Sequence, residues 1–114
     1  MTTPGRLTID GRDVAPLLTA DNYFARLRGM LGTRPGDGAL LLTRCNSVHG
    51  VGMSYRLDAA LLDEDFLVLR TTVLHPFGLV APRPRVRHVL EAAHGCFARW
   101  QLQPGCRLGV GPSA

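Results

Sequence analysis

The stretch CNSVHGVGM, residues 45–53, carries a thiol, an imidazole and a thioether at four-residue intervals: Cys45, His49 and Met53. Those groups are the ligands that a soft ion such as Cu(I) takes. A cysteine near a histidine is also what a thiol nucleophile and its base require. On a helix the three would lie on one face, but Gly50 and Gly52 interrupt it and the flanking residues read as strand. On an extended chain they still share a face, with neighbours about 13 Å apart. That is too far for one metal ion unless the chain bends at a glycine, and it is poor geometry for proton transfer. No metal and no cofactor is therefore expected, and Met53 reads as a buried side chain or as one wall of a binding site.

Asp58 is the second candidate. It stands between Leu57 and Ala59 in an apolar run. A carboxylate in such a run must face water or find a partner in the core. Bonded to an arginine or to backbone amides it would be a structural link; in a cleft shared with His49 it would belong to a site. The third candidate is PRPRVRH, which sets Arg83, Arg85 and Arg87 at alternate positions, on one face of an extended segment. That face is either a solvated edge, where arginine discourages strand-to-strand pairing, or a surface that binds anions through bidentate guanidinium contacts. Nucleic acid would call for aromatic rings interleaved for base stacking. Only Phe77 lies near, and none of the named nucleic-acid modules is present.

The elements that must position these groups are short. RLTIDGRDVAPLL alternates around Asp10-Gly11, which predicts a hairpin with strands near 6–9 and 13–17. Thr19 or Asp21 can cap a following helix that carries Phe24, Leu27 and Leu31 at helical spacing and stops at Gly32. ALLLTRC is a buried strand, and SVHGVGM can continue it through a glycine-marked bend. Residues 57–72 form a hairpin turned by Asp63, Glu64 and Asp65, with Leu57, Ala59 and Leu61 on one arm and Leu67, Leu69 and Thr71 on the other; it is expected at the centre of the sheet. HPFGLVAPRPR, with three prolines, is a loop, and a long loop in a small domain is often functional. VRHVLEA is a strand, GCFARWQL a short helix turning Phe97, Trp100 and Leu102 inward, and QPGCRLGV a turn and last strand. The pattern predicts a mainly β fold of the α+β kind: a compact antiparallel sheet or partly closed barrel with two short helices.

Bulk properties agree with one domain. The chain has 114 residues, of which 46% are apolar, enough for a core without staples. No run approaches the roughly 18 apolar residues of a membrane span. MTTPGRLTIDGRD holds no apolar run of a secretion signal, so a cytoplasmic protein is expected. The formal charge is +4 and every basic residue is arginine. Biased codon use accounts for that, or else a preference for bidentate anion binding. The odd cysteine count argues against a disulfide framework, and Cys96 and Cys106 read as small hydrophobes.

Three segments, in order, resemble one family. ARLRGMLG (25–32) is similar to its early helix, SVHGVGMSYRLDAALLDED (47–65) to its central signature, and VRHVLEAAHGCFARWQLQPGCRL (86–108) to its C-terminal signature. The family is the domain of unknown function 192 group, small uncharacterised proteins of bacteria and archaea. The resemblance covers about residues 6–110. It implies a small mostly-β fold and no established reaction. The chain departs from the pattern in three places: Arg56-Leu57 where the family often has proline before the strand aspartate, Phe66 where it has a turn glycine, and Cys106 where it has aspartate.

Together these readings point to a non-enzymatic accessory domain that binds an anionic small molecule or a protein. Its groove would lie between segments 45–56 and 75–87, with His49, Met53, Asp58, Arg83 and Arg85 as binding residues. The alternatives are a small hydrolase-like or metal-dependent enzyme using His49 and Asp58, and a weak nucleic-acid binder using Arg83, Arg85 and Arg87.

Overall fold

A computed structural model describes residues 2–20, 38–49 and 55–113, with the backbone alone for Thr2, Val48 and His49. Among the described residues nine strands and one helix follow in order: β1 (Thr2–Ile9), β2 (Arg12–Ala20), β3 (Ala39–Leu42), β4 (Val48–His49), β5 (Leu57–Leu62), β6 (Val68–Leu74), β7 (Leu79–Val80), β8 (His88–Ala93), α1 (Cys96–Trp100) and β9 (Leu108–Gly111). Seven strands make one sheet in the order β6-β5-β8-β3-β2-β1-β9, and β4 and β7 make a separate two-stranded sheet. Within the large sheet only β2 and β3 run parallel.

The large sheet curls into a half-barrel. Its two end strands meet at one corner. Leu67 bridges Arg107, the Val68 N–H donates to the Cys106 carbonyl at 2.9 Å, and the Leu108 N–H donates to the Phe66 carbonyl at 3.0 Å. The expected mainly β, partly closed architecture is the one found. The second of the two expected helices is α1; the first, over 21–32, lies outside the described residues.

Local chemistry explains the elements. Asp10 and Gly11 both take left-handed φ, 49° and 85°, as a tight hairpin turn requires. The hairpin runs further than the sequence suggested, out to the pair Thr2↔Ala20. Thr19, considered as a helix cap, instead pairs with Thr3 and Leu41 as a strand residue. The extension includes Pro4. It sits where β1 has β2 on one side and no β9 partner on the other, because β9 pairs only from Arg6 onward. The missing donor costs nothing on an open edge.

All six residues of β5 are buried, because both faces of the sheet are covered there. Ala60 and Leu62 join Leu7, Ile9, Leu17, Leu41 and Leu90 inside the curl, with Phe97, Trp100 and Leu102 packed on them. Leu57, Ala59 and Leu61 join Leu40, Leu42, Val86 and Val89 on the opposite face. Cys96 and Cys106 are buried in the inner cluster and are not joined by a disulfide.

The β5–β6 hairpin lies at one side of the sheet, not at its centre; β3 is the middle strand. Arg70 is exposed and Thr71 to Val73 are only half-buried, a pattern suited to an edge. The alternation of Leu67, Leu69 and Thr71 is also broken. Leu61 pairs with Arg70 but Leu62 pairs with Val68, so a bulge at Leu69 shifts the phase and Val68 becomes the inward residue. At the turn, Asp63 Oδ1 accepts from the N–H groups of Asp65 and Leu67 at 2.8 and 3.0 Å. Phe66, standing where the family resemblance leads one to expect glycine, takes φ 63°.

Strand β1 approaches β9 closely at Gly5, where a Cβ would sit 2.7 Å from the Gly111 carbonyl oxygen. Gly5→Ala is therefore expected to lower stability by about 1–3 kcal/mol, the cost of forcing packed backbone apart. A thermal melt followed by circular dichroism checks this; an unchanged midpoint would mean that β9 is not held against β1 as described.

Candidate functional site

Asp58, on β5, faces the inner side of the sheet toward α1. The helix is preceded by Gly95 at φ 100°, which brings no side-chain cap of its own. Asp58 supplies the cap from a different strand. Its Oδ2 accepts from the N–H groups of Gly95 and Phe97 at 3.0 and 3.1 Å. Its Oδ1 lies 2.8 Å from His94 Nδ1, so with the carboxylate ionised the imidazole donates from Nδ1. The carboxylate is 6% exposed and both its oxygens are engaged. Among sequence-expected partners it meets backbone amides, and the imidazole it holds is that of His94.

The second assembly forms where the end of β3 meets the start of β8. These strands are antiparallel neighbours, with Leu42 opposite Val89, so residues 44–46 come beside 86–88. The Cys45 N–H donates to the Arg87 carbonyl at 2.9 Å, and the Arg87 N–H to the Leu62 carbonyl at 2.8 Å. The Arg44 N–H donates to His88 Nδ1 at 3.1 Å, with Arg44 at φ 55°. Together Arg44, Cys45, Asn46, Glu64, Val86, Arg87 and His88 line an open depression of about 450 Å³. That is the size of a small-ligand site. Two guanidinium groups face one carboxylate, so the lining is net basic. The half-buried Cys45 thiol donates to the Ser47 carbonyl at 2.9 Å.

Burial lowers the pKa of His88 below its ordinary value of 6.5, with Asp63 opposing the shift. The geometry agrees: an Nδ1 that accepts from Arg44 carries no proton, which leaves the neutral ring protonated at Nε2. The His88 ring also packs on Phe66, centroids 4.7 Å apart. Asp63 is held below its usual carboxylate pKa chiefly by the Leu67 N–H, then by the Asp65 N–H and the Arg107 and Arg85 guanidinium groups, with desolvation opposing.

A second depression, of about 590 Å³, lies between the β1–β2 turn and α1. Its one basic lining side chain, Arg12, already donates to the Trp100 carbonyl at the helix end, at 3.2 Å, and Asp10 balances its charge. It is a weaker candidate for anion binding.

The residues singled out from sequence are distributed as follows. His49 lies in β4, whose partner is β7, with His49 opposite Leu79; this brings segments 45–56 and 75–87 together at that point. Met53 lies outside the described residues. Arg83 and Arg85 are exposed on the loop before β8, Arg85 at φ 73°, and only Arg87 of the three lines the depression. Among the described residues, no three histidine, cysteine or acidic side chains converge to hold a metal ion. Sequence reasoning missed Arg44, His88, His94 and Glu91. The last is a fully buried carboxylate on β8, opposite Leu40 and Ala59. Its signal was faint: one acid among the apolar residues of VRHVLEAA.

Fold and geometry define the class as a small curled β-sheet domain with a basic groove at one end of its central strands. The chain belongs to the DUF192 family, described as uncharacterised ACR proteins, whose family model matches residues 6–110. It is 31% identical over 81 residues to a UPF0127 protein of Pyrococcus horikoshii, covering 67% of this chain and 70% of that one. A UPF0127 protein of Pyrococcus furiosus is 29% identical over 94 residues, covering 78% and 81%. Among solved structures, a Sinorhizobium meliloti protein described as a candidate transcription regulator superposes with a TM-score of 0.79 at 22% identity, covering 95% of this chain and 94% of that one. A Novosphingobium aromaticivorans protein of unknown function superposes with a TM-score of 0.74 at 18% identity, covering 95% and 84%. At those identities the likeness is one of fold.

Two outcomes follow from the geometry. Asp58→Ala leaves two helix N–H groups without acceptors and is expected to cost about 2–4 kcal/mol. Asp58→Asn keeps an acceptor and should cost less; equal stability of Asp58→Ala and wild type in urea melts would refute the capping role. For His88, the folded-state pKa is lowered, so the unfolded chain takes up its proton first. Stability from this residue is complete above pH 6.5 and falls as pH drops below it, through the folded-state value. His88→Gln should flatten that part of the stability–pH curve, and a curve of unchanged slope would contradict the assignment.

Proposed function

We propose that the protein is a non-enzymatic binding module that holds an oxyanion group, the carboxylate or phosphate of a small molecule or of a protein partner, in the groove between residues 44–46 and 86–88. The observation that carries this reading is the pair Arg44 and Arg87 on the lining of one open depression, against the single carboxylate of Glu64. Among the described residues neither arginine forms a salt bridge; Arg87 Nη1 donates to the Val86 carbonyl at 3.1 Å, which leaves its other guanidinium N–H groups and the Arg44 guanidinium for charge-assisted contacts. In this reading Arg83 and Arg85 form the rim on the loop side. Asp58 contributes by holding α1 to the sheet. Cytoplasmic action goes with this reading.

The enzyme alternative asks Asp58 to orient His49, but the Asp58 oxygens are already bonded to His94 and to two backbone amides. The nucleic-acid alternative rests on exposed arginines alone.

Calorimetric titration with inorganic phosphate and with a dicarboxylate separates the two anion chemistries. Wild type should bind at least one of them at low salt and lose affinity as salt is added, because the contacts lie near the surface. Arg44→Gln with Arg87→Gln should weaken binding about tenfold or more, the worth of charged hydrogen bonds. Arg83→Gln with Arg85→Gln should weaken it less. Binding that survives loss of Arg44 and Arg87 unchanged would remove the groove from consideration.

A further inference from the structure

The 75–87 loop presents a feature that the anion groove does not use. Phe77 and Leu79 are large apolar side chains, 75% and 70% exposed. Phe77 sits in a turn closed by the Gly78 N–H donating to the His75 carbonyl at 2.8 Å, and it takes φ 60°. That backbone conformation is unfavourable for a bulky residue. The turn is tight as well: a Cβ on Gly78 would lie 2.9 Å from the His75 carbonyl oxygen. Pro76, Pro82 and Pro84 stiffen the same loop, and β7 is fixed to β4 through the pairs Val48↔Val80 and His49↔Leu79. The aromatic ring is thus displayed outward by a constrained loop instead of folding onto the nearby outer-face cluster.

The charge of the segment itself is one-sided. No aspartate or glutamate occurs between Asp65 and Glu91, while Arg83, Arg85 and Arg87 follow Leu79 within eight residues; all three are exposed. An exposed apolar pair followed by three exposed arginines, of which Arg85 has Asp63 and Arg87 has Glu64 in its surroundings, suits an interface that is apolar inside and anionic at its surface. We propose that this loop docks the protein reversibly on an anionic lipid bilayer, with Phe77 and Leu79 entering the boundary between headgroups and acyl chains and Arg83 and Arg85 meeting lipid phosphates. An acidic peptide fits less well. Side chains that anchor a peptide interface sit in or face a walled pocket, whereas these two project into solvent. Neither the apolar pair nor the arginines would suffice alone, since stable peripheral binding takes two signals together.

Co-sedimentation of the full chain with phosphatidylcholine vesicles, with and without phosphatidylglycerol, tests this. Wild type is expected to pellet with the anionic vesicles and to stay in solution with the neutral ones. Arg83→Gln with Arg85→Gln should lower the partition coefficient on the order of thirtyfold, the effect of two arginines at an anionic surface. Phe77→Asn with Leu79→Ser should lower it by about tenfold or more; asparagine tolerates the left-handed backbone, so the turn is kept. Equal binding to neutral and anionic vesicles, or apolar-pair variants that pellet like wild type, would overturn the proposal. So would a wild type that ignores both vesicles but binds a soluble acidic peptide, which would make the loop a protein-docking surface.

Discussion

One carboxylate holds the helix to the sheet. Helix α1 has five residues, too few to be stable by itself. It nonetheless closes the inner core, because Cys96, Phe97 and Trp100 pack against residues from β1, β2, β3, β5 and β8. Asp58 resolves the conflict. A charge buried at 6% exposure is costly unless every lone pair is used, and here the two oxygens accept from two helix N–H groups and face His94. The charge is stabilised by the helix start, and the helix start is stabilised by the charge. Because Asp58 lies mid-strand between Leu57 and Ala59, the same residue that pairs with Ala92 and Val73 in the sheet also sets where the helix begins.

The groove inherits its shape from that frame. Strand β8 pairs with β3 on one side and β5 on the other, so its register is set from both directions. The chain entering β8 must therefore lie against the chain leaving β3. Two hydrogen bonds, from the Arg44 N–H to His88 Nδ1 and from the Cys45 N–H to the Arg87 carbonyl, fix the contact, and the Arg87 N–H ties it to Leu62 of β5. The His88 ring lies between the Arg44 N–H, which donates to its Nδ1, and the Phe66 ring. The proposed anion groove and the proposed bilayer-docking loop are both carried by the sheet, the first at the β3–β8 end and the second through β7.

Much of the fold was legible in the sequence. Asp10-Gly11 marked a hairpin, LDAALL marked a strand of the next hairpin, and GCFARW marked the helix, because each signal is local; that LDAALL is buried on both faces was not marked. The order of strands was not legible, since it depends on pairings such as Leu17↔Ala39 across a segment of the chain. The bulge at Leu69 was hidden because leucine suits either phase of β6. Asp58 was recognised as a residue that must find a partner, but its amides lie 37 and 39 residues away. The groove read from sequence, between segments 45–56 and 75–87, shares Cys45, Asn46, Val86 and Arg87 with the depression, but among the described residues none of the binding residues named from sequence lines it. Arg44 and His88 were missed because nothing in their immediate neighbours reveals that β3 and β8 bring them together.

The central claim is that the basic depression at the β3–β8 end receives an anion. Amide chemical-shift mapping of the isotope-labelled wild type, titrated with inorganic phosphate at low salt, tests it most directly. The account predicts saturable shifts concentrated at Arg44, Cys45, Asn46, Arg87 and His88, with α1 and the β1–β2 turn unmoved. Shifts centred on His94 and α1, or small unsaturable shifts spread over every exposed arginine, would contradict it.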